Sequence, residues 1–389
     1  MSGSIGPLLR SDEFFNHQIV DTFATVAQSD PAWAEKVCGM ACARDGSLQI
    51  GFGMGKYANR NVLDAYVGIS RGVEQRTVRA SRELAPDPDR LQVGPIHYEV
   101  VEPLESIRVC LEPSDAQPIA FELLFEAIVP PVVEEREDRR TLVGYRHTAH
   151  QIRYHQTGTA KGWVEVEGQR SEIDPANWIS TRDHSWGIRP EVGAPLTDLQ
   201  PRELAVAPAA LAIWNPVFFE RPDGSSYAMH HYFLRVEFPG GFVHEKFQGG
   251  FEYPDGRREL FRGLRPEIAF DPVNRRFQGG AFHFVMADGT ERSLEVEVIG
   301  DTGFHLGTGL YHGFDGHYHG GWRGELHVEG EHIPDCSERE TAERVHQIRD
   351  CVVRVSDSAG GGSGWGNCQT VVLGAWPRFG LAEAESSFL

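Results

Sequence analysis

Short apolar runs, several of them alternating with polar residues, recur along the chain at residues 47–52, 62–69, 74–81, 118–128, 162–167, 227–238, 241–247, 281–286 and 293–299. A period of two marks a strand with one buried face. Between the runs stand Asp45-Gly46, Pro222-Asp223-Gly224, Pro239-Gly240-Gly241, Pro254-Asp255-Gly256 and Asp288-Gly289, the residue types that tight turns require. The pattern predicts an all-β protein built from hairpins. Helical periodicity is scarce. Residues 12–16 and 30–37 each allow a short turn of helix. Residues 337–348 carry a stronger signal, because Ser337 and Glu340 suit a capping box and Ala342, Val345 and Ile348 recur at helical spacing.

Two stretches echo one another. Residues 162–168 (GWVEVEG) precede Trp186-Gly187, and residues 324–330 (GELHVEG) precede Trp365-Gly366 once the helical insert is passed. The repeated order predicts two similar β-domains in tandem, residues 1–195 and 196–389. The change-over falls in the proline-bearing, weakly patterned residues 190–208.

The densest chemistry lies in Trp178-Ile179-Ser180-Thr181-Arg182-Asp183-His184-Ser185-Trp186-Gly187. On a strand, Trp178, Arg182, His184 and Trp186 share one face, and Asp183 and Ser185 take the other. Polar heads among indoles need partners if they are buried. They suit either the polar end of an apolar pocket or a structural network in the core. Asp183 and His184 share one pocket only if a bulge re-aims one of them.

The Asp183-His184-x-Trp186-Gly187 motif, preceded by residues 162–168, resembles the carotenoid 1,2-hydratase (hydroxyneurosporene synthase) and AttH-like superfamily. The resemblance implies two tandem lipocalin-like (calycin) β-barrel domains with few short helices. It also implies that His184 and Trp186 line a ligand cavity between them. In the hydratases of that group an aspartate on the strand after the motif protonates the polyene. Here that stretch, residues 211–219, has no carboxylate before Glu220. Carotenoid hydration therefore does not carry over, because alkene protonation needs a strong donor. Another acid, such as Asp183 or Asp271, has to act, or the chemistry differs.

Composition narrows the classes. The chain has 389 residues, 40% hydrophobic and 24% charged, which is ordinary for globular domains. A formal net charge of −19 speaks against nucleic acid and anionic membrane surfaces as partners. No apolar run is long enough to span a bilayer. Residues 1–11 lack the basic start and apolar stretch of a secretory signal, so a cytoplasmic protein is expected. Six cysteines without a CxxC pair read as reduced, mostly buried thiols.

Gly51-Phe52-Gly53-Met54-Gly55 is neither dinucleotide fingerprint nor P-loop, and its glycines read as aids to close strand contact. Nearby Tyr57, Asn59, Asp64 and Tyr66 are candidate pocket residues. His150 and His155 flank Tyr154, and His230-His231-Tyr232 sits in an aromatic strand; these histidines read first as core or sheet-surface residues. Residues 305–332 hold six histidines among glycines, suggesting a loop over a barrel mouth that brings His319 and Trp322 to the cavity. Ser363 lacks the flanks of a nucleophile elbow.

Three readings follow. The first is an enzyme with no organic cofactor that performs hydration, dehydration, isomerisation or cyclisation on an isoprenoid, steroid-like or aromatic molecule. In it His184 is general acid or base, Asp183 its orienter or an alternative donor, and Arg182 the partner of a substrate oxygen. Trp178, Trp186, Trp214, Tyr57, Asn59, Tyr154 and Trp322 form the ligand surface. The second is a carrier of hydrophobic ligands, and the third a metal enzyme using His312, His317 and His319.

Overall fold

The turn signals close hairpins. In the computed structural model, which describes residues 8–17, 28–140, 146–198, 208–345 and 348–382, Gly46, Gly224, Gly241, Gly256 and Gly289 each donate their backbone N–H to the carbonyl three residues earlier. Each also has positive φ. The strands they join include Trp33–Ala43 with Gln49–Tyr57, Ala209–Glu220 with Ser226–Glu237, and Phe277–Met286 with Glu291–Val298.

Two barrel-like antiparallel sheets result, the lipocalin-like all-β architecture. In the second sheet the pairings run through Ala209–Glu220, Ser226–Glu237, Val243–Glu252, Arg258–Phe270, Phe277–Met286, Glu291–Val298, Arg349–Asp357 and Gly362–Leu373, and the last pairs with the first. That ring has no free edge. The first sheet runs from Glu74–Glu83 back through Val62–Arg71, Gln49–Tyr57 and Trp33–Ala43. It continues to Trp178–Ile188, His147–Val166, Ile119–Ala127, Ser106–Leu111 and Ile96–Glu102. Its Glu74–Glu83 edge is covered by Leu326–Ile333, a strand from far along the chain.

Side-chain alternation fills each barrel and the seam between them. Val37, Ala41, Phe52, Leu63, Phe121 and Phe125 fill the first barrel, and Leu211, Ile213, Phe233, Phe251, Phe282 and Val353 fill the second. Met40, Cys42, Ile179, Phe218 and Val352, from the outer faces of both, pack as the seam between them.

Several local expectations are corrected. Residues 30–37 do not form a helical turn; the strand Trp33–Ala43 covers most of them. Both of its faces are buried, so polar Glu35 and Lys36 interrupt any alternation that could have revealed it. The 12–16 turn is the 3-10 helix Arg10–Glu13. The helical insert runs Arg339–Val345, with residues 346–347 outside the described set, and Ser337 turns its hydroxyl to Asp335. The internal echo holds only in part. Trp186-Gly187 and Trp365-Gly366 both lie on a final strand that pairs with its barrel's first strand. Residues 326–330, however, belong to the first sheet and not the second. Of the change-over segment 190–208, residues 199–207 lie outside the described set.

Candidate active site

The strand Trp178–Ile188 carries the motif and lies between Trp33–Ala43 and His147–Val166 in unbroken register. No bulge interrupts it, so the two faces stay separate. Arg182 and His184 point into the first barrel with their cross-strand neighbours Gln156 and Tyr154, and Asp183 points outward with Cys38. The motif ends on glycine for a steric reason: Gly187 has φ 133°, and a Cβ there would stand 2.2 Å from the carbonyl oxygen of His150.

Inside the barrel most of the polar heads pair with one another, while His184 Nε2 makes no hydrogen bond. Arg182 donates to both oxygens of Glu13 at 2.6 and 2.7 Å and to Gln156 Oε1 at 2.7 Å. Burial pushes the Glu13 carboxyl up, but the Arg182 guanidinium outweighs it and holds it below its usual range. The Tyr154 hydroxyl donates to Glu13 at 2.9 Å and lies 3.2 Å from His184 Nδ1. His184 Nε2 is 3.2 Å from Glu35, whose other neighbour is His17, stacked on Trp186. Trp178 packs in the apolar core.

The outward face opens on a cavity of about 320 Å³ between the outer surfaces of the two barrels. One wall, from the second sheet, sets Ala210, Ala212, Trp214, Leu234 and Val371 beside the polar Tyr232, Asp350, Asn367 and Gln369. The opposite wall, from the first sheet and the 306–322 loop, is polar: Lys36, Asp183, Arg153, Arg189, His319 and Tyr311. An apolar chamber with convergent polar groups is the usual form of a small-molecule site.

Lys36 is the unusual group. Its ammonium is buried, 2.7 Å from His319 Nε2 and 3.8 Å above the Tyr311 ring. Burial, aided by Arg189, pushes it down to about 7, against the pull of Asp64, Cys38 and Asp183. Asp64 lies behind His319 at 3.9 Å and accepts the Gly320 N–H at 2.7 Å. Burial lifts its carboxyl to about 6 although Lys36 and Gly320 oppose the shift. Burial likewise raises Asp183, against Arg153 and Arg189. An amine and a carboxyl, Lys36 and Asp183, tuned toward neutrality in one cavity can exchange protons with a ligand, with Asp64 behind His319 and outside the lining.

The remaining candidates divide. Trp214 and Tyr57 line the cavity, and Trp214 Nε1 donates to Glu134 at 3.0 Å. His184, Arg182, Trp178, Trp186 and Tyr154 do not line it; strand alternation turns them into the first barrel. Asn59 binds the carbonyls of Gln28 and Asp30. Trp322 is 57% exposed. Asp271 caps its own turn through the Val273 amide. The histidines of the 305–332 loop do not converge: His317 is exposed, His312 pairs with Glu191 and His319 with Lys36. The glycines at 51, 53 and 55 leave room for the rings of Phe304, Tyr66 and Tyr57, which would stand within 2.7 Å of a Cβ.

Lys36 and Arg153 escaped the sequence reading because only the fold brings them to Asp183. Among the described residues, two groups come close enough to share an ion: His17, Glu35 and His184 inside the first barrel, and Glu134, His155 and His230 at the seam. No helix among the described residues is long and apolar enough to cross a membrane.

A family model described as a family of unknown function (DUF8625) matches residues 8–382. No curated protein matches the sequence. Among solved structures, CghA with Sch210972 aligns at TM-score 0.50 and 14% identity, covering 88% of this chain and 89% of that one. The AttH-like protein NE1406 of Nitrosomonas europaea aligns at TM-score 0.49 and 12% identity, covering 87% and 92%. Kievitone hydratase of Nectria haematococca aligns at 0.43 and 11%, covering 92% and 95%. At this identity the likeness to CghA is one of fold, the two-barrel architecture.

Proposed function

The chain belongs to this family of unknown function, and we propose that it is an enzyme that moves protons on a hydrophobic small molecule held between its two barrels. The observation that carries this reading is Lys36: a buried amine with a pKa of about 7 at the wall of a partly apolar cavity. A lysine shifted this way is a competent base near neutral pH. Asp183, raised by burial, supplies the returning proton, and Arg153 and Arg189 stabilise negative charge on a substrate oxygen. His319 and Asp64 position the amine.

The substrate class follows from the opposite wall. Trp214, Leu234, Val371 and the two alanines suit an isoprenoid, steroid-like or aromatic body with one oxygen function facing Lys36. Hydration, dehydration, isomerisation and cyclisation all fit this proton inventory. His184 and Arg182 then serve by fixing the strand that presents Asp183.

The test uses tryptophan quenching with a panel of such compounds, followed by product analysis for those that bind. Lys36→Met should keep binding and lose turnover. Binding with no product from wild-type protein for any ligand would instead make the chain a carrier, a role the apolar side chains of that wall alone would serve.

A further inference from the structure

The seam between the barrels holds a second polar cluster. Glu134 and His155 come from the first sheet's side, His230 and Glu252 from the second. All are buried. His155 Nε2 lies 2.8 Å from Glu252 Oε1, and its Nδ1 lies 3.2 Å from Glu134 Oε1. His230 Nε2 makes no hydrogen bond and stands 3.6 Å from that same Glu134 oxygen. The two imidazoles stack at 3.6 Å.

Two features of this cluster ask for a cation. A buried imidazole nitrogen without a partner is costly, and it is aimed at a carboxylate. Two carboxylates are buried together; Glu134 accepts from Trp214 Nε1 at 3.0 Å and Gln248 Nε2 at 3.4 Å, neither of which carries charge, and the guanidinium groups nearby, Arg153 at 3.7 Å from Glu134 and Arg258 at 3.8 Å from Glu252, stand beyond hydrogen-bond range. We propose that Glu134, His155 and His230 bind a divalent transition-metal ion, with zinc as the ion that best matches the donor set. Two imidazoles and one carboxylate are a zinc set that leaves a fourth position. Glu252 completes it: a ligating histidine commonly gives its other ring N–H to a carboxylate, and the 2.8 Å contact is placed to receive it. The ligands come from both sheets, so the ion would clamp one barrel to the other. This proposal does not depend on the Lys36 reading.

The test is the full chain expressed in zinc-supplemented medium, desalted and analysed for metal, with thermal unfolding in parallel. One zinc per chain is expected, with a Tm that rises with added zinc. His230→Gln should abolish uptake, and Glu252→Gln should weaken binding about 10–100-fold. His317→Gln, at an exposed histidine, should change nothing. Cobalt loaded in place of zinc should give the visible absorption of a four-coordinate site, which serves if His230→Gln does not fold. Wild-type protein without stoichiometric metal overturns the proposal and leaves His155 as an imidazolium bridge. Uptake that survives both His230→Gln and Glu134→Gln, or a cobalt spectrum of the hydrated ion, also overturns it.

Discussion

Lys36 sits where a lysine weakens the fold. Its pKa is about 7 when folded, far below its ordinary value, so the unfolded chain binds the extra proton between about pH 10 and 7. That contribution to stability is whole above the unfolded value, is lost as pH falls toward 7, and is flat below it. Lys36→Met should therefore unfold at higher urea than wild type at pH 7, by roughly 1–4 kcal/mol. The gap should close as pH approaches 10. The same variant should lose at least about 100-fold in turnover. Wild-type turnover should climb as pH passes through 7 and the amine becomes a free base. His319, Tyr311, Tyr66, Asp64, Cys38, Asp183 and Arg189 are the groups that face it. Arg182 tests the other face. Arg182→Met strands the Glu13 carboxylate inside the barrel and should cost about 3–5 kcal/mol in chemical denaturation. Adding Glu13→Leu should recover most of that loss. The grouping of Trp178, Arg182, His184 and Trp186 was legible, because alternation needs only local sequence. The identity of the cavity wall was not. Lys36 and His319 are 283 residues apart, and nothing along the chain links them.

At the scale of elements, turn chemistry was the most readable signal. The Asp-Gly and Pro-Asp-Gly steps fixed hairpins because so few residues tolerate their backbone angles. The strand Trp33–Ala43 was the least readable, since a strand buried on both faces loses the period of two. The motif strand combines both lessons. Gly187→Ala would force a side chain against the His150 carbonyl in a backbone region that favours glycine. It should destabilise the protein by about 1–3 kcal/mol in urea unfolding. It should also loosen the presentation of Asp183, raising KM before it lowers stability enough to abolish folding.

For the whole molecule, the pairing of Leu326–Ile333 with Glu74–Glu83 decides how the barrels depend on each other. The division at residue 195 remains a proposal about independent units, and the pairing sets its test. A fragment of residues 1–195 would expose the Glu74–Glu83 edge, a template for pairing with other copies. It should self-associate in light scattering, and a peptide of residues 324–335 should return it to a monomer. A fragment that stays monomeric alone would show that the edge needs no cover. The same strand sets a timetable for synthesis. A ribosome must release most of the polypeptide before the first barrel receives its outermost strand, so the half that emerges first cannot be the half that finishes first. The nascent chain would need guarding until its own distant segment arrives.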